Sequence, residues 1–304
     1  MKTTALGSSS IEVSRLAYGC WRLAGEGVDG ARAVRSAVES GYTLFDHADI
    51  YGGGACEEIF GNVIAESPSL RDGMVIASKC GIRIPGVLGA SGPYRYDSRR
   101  SHIVESCEAS LRRLKIETLD LYQIHRPDFL THPEEVAAAF SELKSAGKVR
   151  EFGVSNHQPR LVAALQRACP MKLQVQQNEF SLLNRQPLHD GALDLCLAET
   201  QTLLAWSPLG GGQLGEGAGE LLTSQRSYEP ARVIPLLDRI AGEHGTSRSN
   251  VALAWLLRHP ARVVPIIGST QPTRIKEAAE SVELMLSAEE WYELLTAAET
   301  APLP

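Results

Sequence analysis

Four side chains that can carry out acid–base chemistry lie at or just beyond the ends of short apolar segments. Asp46 ends "YTLFD", Tyr51 follows five residues later in "DHADIYGGG", Lys79 ends "MVIASK" and His125 ends "LDLYQIH". A phenol beside an ammonium group gives up its proton more readily, because the positive charge stabilises the phenolate. A carboxylate keeps such a lysine charged, and an imidazole can hydrogen-bond an oxygen that becomes negative. Together the four residue types predict a general acid, Tyr51, that protonates an oxygen.

Strand periodicity indicates that three of these side chains point to one side. Positions two apart in a strand share a face. Lys79 therefore shares a face with Ala77, and His125 shares one with Gln123. Asp46 likewise shares a face with Leu44. Taken singly, each residue has a structural interpretation as well, as a rim ion pair, a loop anchor or a buried histidine. The combination of all four residues favours a catalytic site over these separate structural roles.

The elements that must position these residues alternate along the chain. Short β-like segments are followed by amphipathic helical ones, which is typical of parallel α/β architecture. The first strand is followed by "CWRLAGEGVDG", which lacks the GxGxxG turn of a dinucleotide-binding doubly wound sheet. We therefore predict a single (β/α)8 TIM barrel over residues 1–304, with strands at Leu16–Cys20, Tyr42–Asp46, Met74–Lys79, Leu119–His125, Glu151–Ser155, Leu173–Asn178, Thr202–Ser207 and Val263–Gly268.

Two glycine-rich segments are too long to be simple connections. Residues 80–100 follow the third predicted strand, and residues 207–230 follow the seventh. Long loops in compact domains tend to be functional, and barrel active sites are built at the carboxyl ends of the strands. We expect both loops at that face, with Trp21, Tyr94 and Tyr96 as walls of a substrate pocket.

Composition favours a small-molecule partner. The 304-residue chain is 43% hydrophobic with a net charge of −6, which gives no electrostatic reason to expect nucleic acid or an anionic membrane as partner. It has neither a membrane-length apolar run nor a secretory h-region, so we expect a cytoplasmic protein. The six cysteines form no CxxC pair, so neither a metal site nor a disulfide framework is predicted.

Several motifs resemble the aldo-keto reductase superfamily. They are "DHADIYGG", "ASLRRLKIETLDLYQIHRPD" and "GKVREFGVSNH", and the similarity runs over nearly the whole chain. With "SKCGIR", "WSPLGGGQL" and "IIGS", the chain is most similar to the bacterial YdhF-type oxidoreductase subgroup. The resemblance implies a (β/α)8 barrel that reduces aldehydes or ketones with a nicotinamide cofactor. It also implies a catalytic tetrad of Asp46, Tyr51, Lys79 and His125.

The same resemblance implies the cofactor contacts. Ser155 and Asn156 would hydrogen-bond the carboxamide, Trp206 would stack on the nicotinamide, and the glycine-rich loop would approach the pyrophosphate. The implied cofactor-binding residues are Cys20, Trp21, Ser155, Asn156, Gln177, Trp206, Ser207, Leu209, Gly211, Gly268, Ser269, Thr270 and Arg274.

Two features depart from the family pattern. Many members carry a lysine after the last strand, whereas this chain has "VPIIGST", which leaves Arg274 as the cation for a 2′-phosphate. We expect NADP(H) because a guanidinium suits phosphate, with NAD(H) left open. His47 stands where threonine is commoner, and by alternation its side chain faces away from Asp46.

Other functions stay open at this point. A regulatory or redox-sensing subunit would bind the cofactor with little turnover, and a Schiff-base lyase would use Lys79 as its nucleophile. The sequence predicts neither the particular carbonyl substrate nor the oligomeric state.

Overall fold

Eight parallel strands close into a barrel in the computed structural model, which describes residues 1–215 and 221–299. The barrel strands follow one another in chain order, and the last pairs with the first. The described strands are β1 Thr3–Ala5, β2 Glu12–Ser14, β3 Ala17–Gly19, β4 Leu44–Asp46, β5 Val75–Cys80, β6 Ile82–Arg83, β7 Arg95–Tyr96, β8 Leu119–Ile124, β9 Val149–Ser155, β10 Leu173–Glu179, β11 Thr202–Trp206 and β12 Val264–Ile267.

Helices surround this barrel, and each connection between consecutive barrel strands carries at least one. Their bounds are α1 Gly30–Glu39, α2 Ala55–Glu66, α3 Arg100–Leu114, α4 Pro133–Ser145, α5 Pro159–Ala168, α6 Gln186–His189, α7 Ala192–Glu199, α8 Ile234–His244, α9 Arg248–Leu257, α10 Pro272–Glu280 and α11 Ala288–Ala298. All eight predicted strands overlap β3, β4, β5, β8, β9, β10, β11 and β12, so the predicted TIM barrel is confirmed.

Local sequence signals explain where several helices begin. The carboxylate of Asp29 accepts the Arg32 N–H at 2.9 Å and caps α1. Proline occupies the first position of α4 and α5, where no N–H is needed. Ser287 and Glu290 form a capping box at α11, a helix that we did not predict from sequence.

An N-terminal hairpin, β1–β2, was also missed by the sequence analysis. Its side chains Leu6, Ile11 and Val13 pack in one apolar cluster with Leu44, Ala77 and other inward-facing residues of the barrel strands. The hairpin therefore contributes to the packed barrel interior together with side chains from the strands.

Three properties of the described residues bear on function. Within residues 1–215 and 221–299, no helix has both the length and the apolar character needed to cross a bilayer. Over the same ranges, no group of three or more His, Cys, Asp or Glu side chains is arranged to bind a metal ion. All six cysteines are buried and unpaired by disulfides.

Candidate active site

A buried ion pair lies where β4 and β5 end. Lys79 donates from Nζ to both carboxylate oxygens of Asp46 at 2.7 Å and to the backbone carbonyl of His47 at 2.6 Å. The lysine is completely buried and Asp46 is 3% exposed. Burial lowers the pKa of Lys79, whereas the charge and hydrogen bond of Asp46 act to raise it. The carboxylate therefore holds the ammonium in place and favours its charged form.

Tyr51 and His125 lie beside this pair. The Lys79 Nζ atom is 5.2 Å from the centroid of the Tyr51 ring, and the Tyr51 and His125 rings meet edge to face with centroids 5.8 Å apart. Tyr51 begins a short 3-10 turn in which Gly52 and Gly53 have φ values of 58° and 65°. These left-handed conformations explain why glycines follow the phenol. The structure thus brings together the four residues predicted to form the tetrad.

The pKa of Tyr51 differs from the one that the sequence predicted. Burial and the charge of Asp46 raise the pKa of Tyr51 well above its ordinary value, while Arg126 acts to lower it. The prediction that the phenol has a lowered pKa is therefore wrong, because desolvation and the charge of Asp46 outweigh the charge of Arg126. Burial, Lys79 and Arg126 together hold the pKa of His125 well below its usual range. At neutral pH Tyr51 keeps its proton and the His125 imidazole is uncharged.

A hydrogen-bonded chain connects three further strands to the ion pair. The Gln177 side chain donates to Asp46 Oδ1 at 2.8 Å, and the Ser155 hydroxyl donates to the Gln177 carbonyl at 3.0 Å. Asn156 donates to Ser155 Oγ at 2.8 Å and accepts the Trp206 indole N–H at 2.9 Å. These four residues, predicted as cofactor contacts, therefore form one continuous network with the ion pair.

The glycine-rich loop after β11 is hydrogen-bonded to Gln225, a buried residue that the sequence analysis missed. Gln225 is 1% exposed and donates to Glu179 at 2.8 Å and to Ser207 Oγ at 3.0 Å. Gly211 has φ +71°, and a Cβ there would lie 2.6 Å from Oε1 of the Gln225 side chain. Leu209 precedes the short helical turn Gly210–Gly212. Residues 216–220 of the predicted long loop lie outside the described residues.

The segment after β12 packs against Trp21. A Cβ on Gly268 would lie 2.9 Å from the Trp21 Nε1 atom, so any larger residue there would require the indole ring to move. Arg22, another residue that we did not predict, donates to the Gly268 carbonyl at 3.2 Å and stacks over the Trp21 ring. Ser269 accepts the Tyr18 hydroxyl through its carbonyl at 3.1 Å. Thr270 is half-buried, and Arg274 is exposed in the first turn of α10.

The other predicted residues differ in accessibility. Trp21 is 44% exposed, Tyr94 is 55% exposed, and the Tyr94 and Tyr96 rings meet edge to face at 5.8 Å. Cys20 is completely buried and donates its backbone N–H to the Asp46 carbonyl at 3.0 Å. The cysteine thiol therefore presents no surface to a ligand in this structure.

His47 points away from the tetrad, as alternation predicted. Its ring meets Phe60 of α2 edge to face at 4.5 Å, and neither ring nitrogen has a partner among the described residues. Burial, followed by the charge of Lys79, lowers the pKa of His47 to about 3. The imidazole is therefore a neutral packing group between strand and helix.

Arg126 is a cation at the site that the sequence analysis did not single out. It directly follows His125, it is half-buried, and its guanidinium carbon is 5.9 Å from the centroid of the Trp206 ring. Its position one residue beyond a predicted catalytic histidine was the available signal.

Comparison with known proteins identifies the class. Residues 15–299 match the sequence profile of the Aldo/keto reductase family. The chain is 40% identical to a 6-dehydroglucose reductase of Novosphingobium aromaticivorans, in an alignment that covers 98% of this chain and 96% of that protein. It is also 40% identical to oxidoreductase YdhF of Escherichia coli, in an alignment that covers 94% of each chain.

A solved structure shows the same architecture. The thermostable aldo-keto reductase Tm1743, in complex with the inhibitor epalrestat, superposes with a TM-score of 0.83 and 29% sequence identity, covering 98% of this chain and all of that one. The chain therefore belongs to the aldo-keto reductase family, with a YdhF-type relative as expected. It is an NAD(P)H-dependent oxidoreductase.

Proposed function

We propose that this protein reduces aldehydes or ketones with NADPH and that Tyr51 is the general acid. The observation that carries the proposal is the buried Asp46–Lys79 pair beside the Tyr51 ring, with His125 in edge-to-face contact on the same phenol. These residues come from the ends of three barrel strands and the loop after one of them, which is where barrel enzymes place catalytic groups.

The residues of the site divide the work of protonating a carbonyl oxygen. A bound nicotinamide would supply the hydride. Tyr51 keeps its proton until the substrate oxygen becomes a strongly basic alkoxide, because its pKa is raised. Neutral His125 can donate a hydrogen bond to the same oxygen, and the Lys79 ammonium stabilises the phenolate that remains. Asp46 keeps that ammonium charged and fixed.

The chain also offers groups that fit a nicotinamide dinucleotide. The Trp206 ring is half-buried and its orientation is fixed by the hydrogen bond to Asn156. At the other end, α10 begins at Pro272 without a side-chain cap, so the positive end of its dipole can face a phosphate, and Arg274 lies in its first turn. We assign this end to the adenosine phosphates, and we expect Arg274 to favour NADPH over NADH.

Two alternatives are not favoured. The Lys79 amine is completely buried and donates to three oxygens, so it is not placed to attack a carbonyl as a Schiff-base nucleophile. A regulatory subunit with little turnover is disfavoured by the relatives at 40% identity, which are named for reduction or oxidoreductase activity. One of these names, 6-dehydroglucose reductase, suggests sugar-derived aldehydes as first substrates to assay.

The proposal is tested by following loss of NADPH absorbance with aldehydes, ketones and quinones, and with NADH in parallel. We expect at least one carbonyl class to be reduced, with NADPH favoured over NADH by about tenfold or more. Arg274→Met should reduce this cofactor preference, whereas Arg167→Met, in the last turn of α5, should leave it unchanged. Absence of carbonyl-dependent consumption of either cofactor would refute the proposed function.

A further inference from the structure

We propose that Arg126 binds an oxygen of the substrate near its carbonyl group, so that the site selects carbonyl compounds bearing carboxylate or hydroxyl groups. This inference rests on the proposed function, because it concerns the substrate of the same site. It adds a specificity-determining residue and a substrate class to a catalytic centre that would otherwise accept any carbonyl.

The location of Arg126 is set by the groups around it. It directly follows His125 at the carboxyl end of β8, and its guanidinium carbon is 5.9 Å from the centroid of the Trp206 ring. Its positive charge acts to lower the pKa of the Tyr51 and Tyr94 phenols and of the His125 imidazole. The guanidinium therefore lies among the proposed acid, the imidazole and the predicted pocket walls.

Arg126 has no hydrogen bond or ion pair with any described residue, although it is half-buried. The acid nearest in sequence, Asp128, accepts instead from the Ser98 and Leu130 N–H groups and the Thr131 hydroxyl. Arg113, which is also half-buried, is by contrast paired with Glu57 at 2.7 Å. A partly desolvated guanidinium without an acceptor is unfavourable by itself, so its donors are available to a ligand.

The surroundings define what such a ligand would be. Trp206, and Tyr94, on whose phenol the Arg126 charge acts, offer apolar ring surface for the carbon skeleton, and the planar guanidinium offers several N–H donors for oxygens. A site with a polar group that needs a substrate oxygen discriminates against analogues that lack it, because the group is then left unpaired. Carboxylates and vicinal hydroxyls share this acceptor chemistry.

The experiment compares aldehydes of equal chain length with and without the added oxygens. Propanal is paired with glyceraldehyde, and butanal with succinic semialdehyde, each assayed with NADPH for kcat/KM. We expect wild type to favour the oxygen-bearing member of at least one pair by about tenfold or more. A preference within the second pair identifies a carboxylate as the ligand, and a preference confined to the first pair identifies hydroxyls.

Three variants assign that preference to Arg126. Arg126→Met should reduce the ratio within the preferred pair to about threefold or less, and Arg126→Lys should retain part of a carboxylate preference because it keeps the charge. Arg167→Met, on the exposed last turn of α5, should show the wild-type ratio. The proposal is overturned if wild type shows no preference in either pair, or if Arg126→Met keeps the wild-type ratio.

A binding measurement separates this inference from the proposed function. Calorimetry compares 4-hydroxybutyrate with 1-butanol, and glycerol with 1-propanol, on wild type and Arg126→Met. Tighter binding of an oxygen-bearing compound that depends on Arg126 supports the subsite even when no carbonyl is reduced, in which case the proposed function alone fails. Reduction of carbonyls without any Arg126-dependent preference in either assay refutes the subsite alone. Failure of both assays refutes both.

Discussion

Replacing Asp46 by asparagine tests the buried ion pair that organises the site. The change keeps the shape of the side chain and removes its charge, so the completely buried Lys79 ammonium loses its only carboxylate partner among the described residues. Removing one member of a buried pair typically costs about 3–5 kcal/mol, because an uncompensated charge stays in the interior. We expect Asp46→Asn to lower the free energy of unfolding by about that amount at neutral pH.

A double-variant cycle with Lys79→Met isolates the pairwise contribution. The double variant has no charge at either position, so we expect its loss of stability to be smaller than the sum of the single losses by at least about 2 kcal/mol. The Asp46→Asn variant should also become more stable as pH rises. Its Lys79 loses a contribution that raises the pKa, so the unfolded chain, with a lysine pKa near 10.5, binds that proton more tightly than the folded variant.

Urea unfolding followed by both circular dichroism and tryptophan fluorescence measures these free energies, and coincidence of the two transitions supports two-state treatment. The reasoning would be refuted if Asp46→Asn were within about 1 kcal/mol of wild type, or if the two single losses simply added. A pH-independent stability of Asp46→Asn would contradict the assignment of the buried charge to Lys79.

Three further predictions concern residues around the site. Burial raises the pKa of Asp49 to about 7, above its unfolded value of 3.8, so the free energy of unfolding of wild type decreases as pH rises between these values. The stability of Asp49→Asn relative to wild type should therefore increase by up to about 4 kcal/mol between pH 4 and 8. Burial lowers the pKa of His47 to about 3, so the pH dependence is reversed: the free energy of unfolding decreases as the pH is lowered below 6.5, by about 3 kcal/mol at pH 4.5. His47→Gln should remove this dependence on pH. Gly61→Ala should destabilise by about 1–3 kcal/mol, because its Cβ would lie 2.3 Å from the Arg113 carbonyl, whereas Gly73→Ala, with open space, should be nearly neutral.

Each of these predictions has a contrary outcome in urea unfolding measured across pH. Parallel pH profiles for wild type and Asp49→Asn would show that Asp49 is not a buried titrating group. An unchanged acid slope in His47→Gln would assign the acid sensitivity to other groups. Equal effects of the two glycine substitutions would contradict the close approach of α2 to the end of α3.

The fold was predictable because its signals are local. Each barrel strand is a short apolar segment between turn residues, and several predicted helices carry proline or a capping residue at their starts. The proximity of Asp46, Tyr51, Lys79 and His125 was predictable for a related reason. Parallel strands end at the same face of a barrel, so a charged residue at the end of an apolar segment has a defined place. The β1–β2 hairpin was missed because its short strands, "TTA" and "EVS", carry mostly polar residues and form no apolar segment.

Features that depend on packing were not predictable in the same way. The raised pKa of Tyr51 arises from desolvation by groups distant in sequence, and charge patterns alone suggested the opposite sign. Gln225 holds the loop after β11 from 18 residues away through a contact with Ser207. That Arg126 has no partner among the described residues emerges only when the N–H donors bound by the Asp128 carboxylate are known.

The most direct test of the central claim is the turnover of Tyr51→Phe with its best carbonyl substrate, together with NADPH affinity measured by fluorescence. The variant keeps the aromatic ring that lies against Lys79 and His125 and loses only the proton donor. We predict that kcat falls by about 100-fold or more while NADPH affinity changes by less than about threefold. Wild-type-like reduction of the carbonyl by Tyr51→Phe would contradict the account.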